Sequence, residues 1–174
     1  ILILTPYKIT PRIEQVVETL LYILWDLKLK VGYAIRSLED NISKAKLDNT
    51  ICTALLDARL ISGDQGLWID FNSAFKIEIL SKLKEKYFYE KIKERDVRHK
   101  KMGDSRYLLE PNMKEGKGGL RDLNTIRWII SFLYQSNNSQ DYLSLGVMTN
   151  KEVSFYNKAE KYFMTLRSMM HYYS

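Results

Sequence analysis

Apolar positions recur along this chain with two periods, and the switch from one to the other divides it. Residues 1–4, ILIL, form a continuous apolar run ended by Thr5 and Pro6, which predicts a buried strand. Thr10 and Pro11 then start a helix in which Ile13, Val16, Val17, Leu20, Leu21 and Leu24 make one wide apolar face opposite Arg12, Glu14, Gln15 and Glu18. Such a face is expected to cover a sheet. Val31, Tyr33 and Ile35 alternate with Gly32 and Ala34 as a second short strand, and Ser37 caps a helix running to about Leu47. A third strand is expected over residues 55–61, with Leu56, Ala58 and Leu60 on one side and Asp57 and Arg59 on the other. Alternating strands and helices of this kind build an α/β layer.

Beyond Gly63 the helical period takes over. Phe75, Ile79, Leu83 and Tyr87 mark one stripe of a long helix whose remaining surface is Lys and Glu, and Glu94 and Arg98 stand at pairing distance along it. Gly118 and Gly119 lead into another helix with Leu123, Ile126, Ile130 and Leu133 inside, ending near the polar residues 135–140. After a loop, Thr149 and Glu152 have capping-box spacing and open a last helix that buries Val153, Tyr156, Phe163, Leu166 and Met170 as core. No segment of 20–50 residues repeats. The fold class is mostly α with a small α/β part. Its boundary falls near Gly63 to Leu67, giving an α/β part over residues 1–65 and an α-helical part over residues 66–174.

Composition narrows the function classes. Of 174 residues, 45% are hydrophobic and 28% charged, with three prolines, which fits a folded, helix-rich chain and not a linker. The net charge of +6 is spread among glutamates, and neither aromatic-interleaved basic repeats nor a recognition helix occurs, so no nucleic-acid partner is expected. The apolar start is too short to span a bilayer and lacks signal-peptide flanks, so no membrane is expected either. Cys52, the single cysteine, excludes an intramolecular disulfide and points to a reducing cytoplasm. Its apolar neighbours make it a buried, inert thiol. His99 and His171 are too isolated in sequence for a metal pair or a His-Asp dyad and read as structural or exposed.

Residues 98–128, RHKKMGDSRYLLEPNMKEGKGGLRDLNTIRW, are dense in chemistry-bearing side chains. Lys114, Lys117, Gly118, Gly119 and Arg121 set two ammoniums, a flexible turn and a guanidinium around a helix start, where unpaired N–H groups favour an anion such as phosphate. Spacing alone favours a plainer arrangement, with glycines making a turn, Arg121 pairing with Glu110 or Asp122, and the lysines in water. Neither the Walker pattern nor the dinucleotide fingerprint is present. Asp57 likewise reads, from the residues alone, as an ion-pair partner of Arg59 or of a nearby helix.

The elements EPN, K-E, GGLRDL and R-W of this block resemble the region that follows the catalytic domain in bacterial PII-protein uridylyltransferase/uridylyl-removing enzymes. LLYILWDLKLKVGYAIRSLED at residues 20–40 and TALLDARLISGD at residues 53–64 extend the resemblance over nearly the whole chain. It implies a polymerase beta-like nucleotidyltransferase domain, truncated here, then an α-helical domain. It also implies magnesium, UTP as substrate, and transfer of UMP to a tyrosine of the PII nitrogen-regulatory protein with pyrophosphate leaving. By this resemblance Asp57, in LLDAR, is the third catalytic and metal-binding carboxylate, residues 1–4 are the tail of an Asp-x-Asp strand, and Lys114, Lys117, Gly118, Gly119 and Arg121 hold the nucleotide. Neither a Gly-Ser turn nor Asp-x-Asp occurs in the 174 residues. A chain that starts with Ile inside a strand suggests missing upstream sequence. The implied state is a fragment, inactive alone because one carboxylate cannot replace three around magnesium, unless a separate polypeptide supplies the missing strand. The family's uridylyl-removing and ligand-sensing domains would lie beyond Ser174. Two alternatives stay open. One is a non-catalytic nucleotide- or protein-binding helical module. The other is a relic of a glutamine synthetase adenylyltransferase-like enzyme, whose GG-[LI]-R motif is similar although EPN and LRDL fit the uridylyltransferase better.

Overall fold

The computed structural model describes residues 1–105, 107, 109–110, 112–136 and 138–173. Pro111 of the EPN tripeptide and Asn137 of the polar stretch lie outside these described residues. The chain is mostly helical with one two-stranded parallel sheet, and it divides into the compact units Ile1–Lys82 and Leu83–Ser174. The helix at Gln65–Phe75 belongs to the first unit through its buried Phe71 and Phe75, so the units part some fifteen residues after the change of hydrophobic period near residue 66.

In the first unit β1 (Leu2–Thr5) and β2 (Ala34–Ser37) pair in parallel from Leu2↔Ala34 to Thr5↔Ser37. Between them runs α1 (Pro11–Asp26), started by the Thr10 hydroxyl accepting from the Ile13 N–H and by Pro11, which has no N–H to lose. The buried stripe of α1 is narrower than its apolar face. Val17 and Leu21 are buried, whereas Val16 and Leu20 are 63% and 43% exposed. The helix ends with the Lys28 N–H on Trp25 O and the Leu29 N–H on Leu24 O, a pattern that forces Lys28 into the left-handed region at φ +62°.

Ser37 caps α2 (Leu38–Leu47) as its spacing predicts. Asp48 then closes α2 and opens α3 (Asn49–Leu56), its carboxylate accepting from Thr50 and Ile51. The third strand expected over residues 55–61 is therefore absent. Capped by Asp48, residues 49–56 wind into a helix that buries Cys52 and Leu55, and the residues after it have no neighbouring strand to complete a ladder. Cys52 is buried, as its apolar surroundings predict. Asp64 caps α4 (Gln65–Phe75), which passes into a π-helical turn, Lys76–Leu80, and α2 packs against α3, α4 and this turn around Ile42, Ala45, Phe71, Phe75 and Ile79.

The long helix expected through Phe75, Ile79, Leu83 and Tyr87 is two helices. The helix passes into a π turn that ends at Leu80, Ser81 folds its hydroxyl back onto Lys76 O, and α5 (Lys84–Lys101) begins separately. In the second unit α5 packs on α6 (Leu120–Tyr134), with Tyr87 stacked on Phe132 at 3.9 Å. The expected Glu94–Arg98 pair does not form, because Glu94 takes the buried Lys91 ammonium at 2.7 Å and Arg98 turns to α6. After the short α7 (Asp141–Ser144), α8 (Asn150–Tyr173) opens on the predicted capping box: Glu152 accepts from the Thr149 N–H and the Thr149 hydroxyl accepts from the Glu152 N–H. Tyr156 joins Ile130 and Tyr142 in a core lined by Leu123, Val147, Met148 and Val153. Phe163 and Leu166 are half-buried, and Met170, expected inside, is 56% exposed because this core engages only the first turns of the helix.

No helix among the described residues is long and apolar enough to cross a membrane. A lysine held at positive φ carries backbone strain of about 1 kcal/mol that glycine avoids. Lys28→Gly is expected to raise stability by about 0.5–1 kcal/mol, read as a higher urea midpoint at unchanged slope.

Candidate functional site

The chemistry-bearing block folds into the end of α5, the loop at residues 112–119 and the start of α6, all within the second unit. Four basic residues, Arg98, His99, Lys100 and Lys101, sit in the last turn of α5, where the negative end of the helix dipole favours positive charge. Asp122 sits in the first turn of α6, where the positive end favours a carboxylate. These preferences meet in one cluster. Asp122 Oδ1 accepts from Arg98 Nη2 at 2.6 Å, His99 Nε2 lies 3.0 Å from both carboxylate oxygens, and Oδ2 accepts the Gly118 N–H at 2.7 Å. The His-Asp dyad that sequence distance argued against is thus present, made by two helices 23 residues apart. Burial raises the carboxyl's pKa, but the Gly118 amide, Arg98 and His99 outweigh it and hold it below the ordinary 3.8.

The residues expected to hold phosphate surround this cluster. Gly118 lies at φ +81° and Gly119 at the helix cap, where a Cβ would stand 2.5 Å from Met113 O. The amides that would grip an anion are already bonded: Gly118 to Asp122, Gly119 to Gly116 O, Leu120 to Met113 O, Arg121 to Lys114 O and Asp122 to Gly119 O. Lys117 pairs with Asp104 at 2.8 Å, and Arg121 pairs with Glu115 at 3.0 Å while lying 5.8 Å from the Trp128 ring centre. The carboxylate partner of Arg121 is therefore Glu115, neither Glu110 nor Asp122. Lys114 is exposed, its ammonium 3.8 Å from Glu115. Lysine and glycine spacing pointed to the loop, but Arg98, His99, Asp104, Glu115 and Asp122 were not singled out as its organisers. The helix-end charge pattern, four basic residues closing α5 and an acid opening α6, was the available signal.

Asp57 is in the other unit, exposed at the C-terminal cap of α3 and not on a strand. Among the described residues no three His, Cys, Asp or Glu side chains converge on a point that could hold a metal ion. A magnesium ion takes six oxygens, so at Asp57 water or substrate oxygens would have to supply all but those of the one carboxylate.

Among the described residues Nε and Nη1 of Arg98 are buried without a hydrogen-bond partner, so Asp122, bonded at 2.6 Å, is the direct partner of this charge, with Glu115 near enough to interact. Asp122→Ala should therefore cost about 2–4 kcal/mol of stability, since removing one partner strands a buried guanidinium. Because the carboxyl's folded pKa lies below its unfolded value, the contribution is complete above pH 4 or so and is lost as pH falls through the folded value. Urea unfolding between pH 7 and pH 2 should show that loss in the parent chain and a flatter profile in Asp122→Ala.

Residues 86–174, which span this cluster and all of α6 to α8, match the family described as GlnD PII-uridylyltransferase. The chain is also similar to proteins named bifunctional uridylyltransferase/uridylyl-removing enzyme. It is 46% identical over 172 residues to that of Azospirillum brasilense, 44% over 172 residues to that of Rhodospirillum rubrum and 43% over 167 residues to that of Novosphingobium aromaticivorans. These alignments take in 99%, 99% and 96% of the chain and 18% of each relative's length. No solved structure matches significantly. With the match covering the α5–α6 cluster and more than half of the residues, the chain belongs to the GlnD PII-uridylyltransferase family.

Proposed function

We propose that this chain serves, within a longer protein, in moving UMP from UTP to a tyrosine of a PII signal protein, and that the 174 residues alone do not perform the transfer. The family match over residues 86–174 carries the reading, and the names of relatives at 43–46% identity agree with it. In such a transfer the phosphates need charge neutralisation and the attacking hydroxyl needs positioning in line. Magnesium would supply the first when bound. Asp57 can offer one hard oxygen ligand, and the Gly-Ser and Asp-x-Asp elements that the resemblance calls for are not among these residues. A partner strand on a separate polypeptide would meet the same need.

In the second unit the amides of the loop are engaged, so any phosphate contact there falls to the side chains of Lys114, Lys117 and Arg121. Lys117 and Arg121 would have to exchange Asp104 and Glu115 for the ligand. The α5–α6 cluster acts in this reading as the clamp that fixes the loop.

Incubating the purified chain with magnesium, labelled UTP and a PII protein is expected to leave the PII protein unlabelled; robust labelling would contradict the inactivity. Supplying the Gly-Ser and Asp-x-Asp elements ahead of residue 1 should restore labelling. Asp57→Ala should then abolish it, while stability changes by less than about 0.5 kcal/mol, the usual range for an exposed site.

A further inference from the structure

The clamp on Asp122 is unevenly filled. The Arg98 side chain is only 10% exposed, and its Nη2 is bonded to Asp122 Oδ1 at 2.6 Å. Nε and Nη1 are buried with no hydrogen-bond partner among the described residues. A guanidinium carries N–H donors on every nitrogen, and a charged donor buried without an acceptor is costly to keep. Open donors on a buried cation mark a place suited to receive a carboxylate or another oxyanion.

Glu115 is the carboxylate placed to arrive there. It now accepts from Arg121 Nη2 at 3.0 Å, and Arg121 is the residue before Asp122, to which Arg98 is bonded. Burial raises the Glu115 carboxyl's pKa, but the bond and charge of Arg121, and after them Lys114 and Arg98, outweigh it and hold it below the ordinary glutamate value. Arg98 therefore already acts on this carboxylate. The loop backbone need not move for the side chain to change partners. Asn112 Oδ1 accepts from the Lys114 and Glu115 N–H groups, while the Leu120 and Arg121 amides hold Met113 O and Lys114 O. Arg121 for its part can exchange one oxyanion for another. Its side chain is 31% exposed, its guanidinium lies 5.8 Å from the Trp128 ring centre, and a planar fork that takes a carboxylate also takes a phosphate.

We propose that Glu115 is an internal competitor for oxyanions at Arg121 and that the open donors of Arg98 are its second seat. An arriving oxyanion takes Arg121, and the displaced carboxylate crosses to Arg98. Binding at Arg121 thereby tightens the clamp between α5 and α6. The inference deepens the proposed function, because it rests on Arg121 meeting phosphate, and it adds the group that gates this contact.

The test is calorimetric titration of the 174-residue chain with inorganic phosphate, beside Glu115→Gln, Arg98→Lys and the double variant, each checked by circular dichroism. Glu115→Gln removes the competing charge and should bind phosphate about tenfold more tightly. Arg98→Lys keeps a cation on Asp122 but loses the second seat, and should bind phosphate about threefold more weakly. In the Glu115→Gln background the same change at Arg98 should have no effect, because no carboxylate is left to receive. A second readout needs no change at Arg98: its Nε–H proton, followed by NMR, should shift on phosphate addition in the parent chain and stay in place in Glu115→Gln. Effects of the two substitutions that simply add would overturn the proposal, as would an Arg98 proton that phosphate leaves unmoved in the parent chain. Saturable binding that Arg121→Ala abolishes but Glu115→Gln does not tighten would overturn the exchange and leave the Arg121 contact standing. No saturable binding in any variant would overturn both. Failure of uridylyl labelling with the supplied Gly-Ser and Asp-x-Asp elements, while Glu115 and Arg98 remain coupled in phosphate binding, would instead remove the transferase reading alone.

Discussion

The second unit is organised around one carboxylate. Asp122 receives a guanidinium and an imidazole from the end of α5 and an amide from the loop before α6, and both helix dipoles favour the signs of charge brought there. A partly buried charge is costly unless its lone pairs are met, and here the partners come from two helices and a turn. The position of the loop at residues 112–119 follows. With Gly118 bound to Asp122 and Leu120 and Arg121 returning their N–H groups to Met113 and Lys114, the loop has little freedom to open without losing the helix start.

This arrangement changes what the glycine-rich segment means. Read as letters, GKGGLRD offers flexible backbone, amides and cations to an anion. Folded, the glycines serve close approach: Gly119 has no room for a Cβ beside Met113 O, and Gly118 adopts the left-handed turn that aims its amide at Asp122. The cations Lys117 and Arg121 have carboxylate partners, and Trp128 adds a ring against which Arg121 and Lys91 both lie. The first unit contrasts with this. Around the α1–β2 turn, Lys28 and Lys30 pair with no carboxylate among the described residues and lie beside the partly exposed Trp25 and Leu29.

Belonging to the GlnD PII-uridylyltransferase family was legible because the block at residues 98–128 and the stretches at residues 20–40 and 53–64 keep their order and wording. Several local signals were legible, although the caps at Asp48 and Asp64, equally local, were not read. Thr10, Ser37 and the Thr149–Glu152 box each satisfy N–H groups within three residues, so no distant partner can overrule them. The third strand failed for the opposite reason. A strand is completed by another strand, whereas residues 49–56 could close their own hydrogen bonds as a helix once Asp48 capped them.

What the sequence determined by itself is the starts of α1, α2, α6 and α8, the buried environment of Cys52, the mostly helical class with a small α/β part, and the family. What only the tertiary structure decided is which charges meet. The pairs Arg98–Asp122, His99–Asp122 and Lys117–Asp104 span 24, 23 and 13 residues, and their formation depends on how α5, the loop and α6 pack. Coulomb and hydrogen-bond partners are selected by distance in space, which hydrophobic period and local spacing along the chain do not encode.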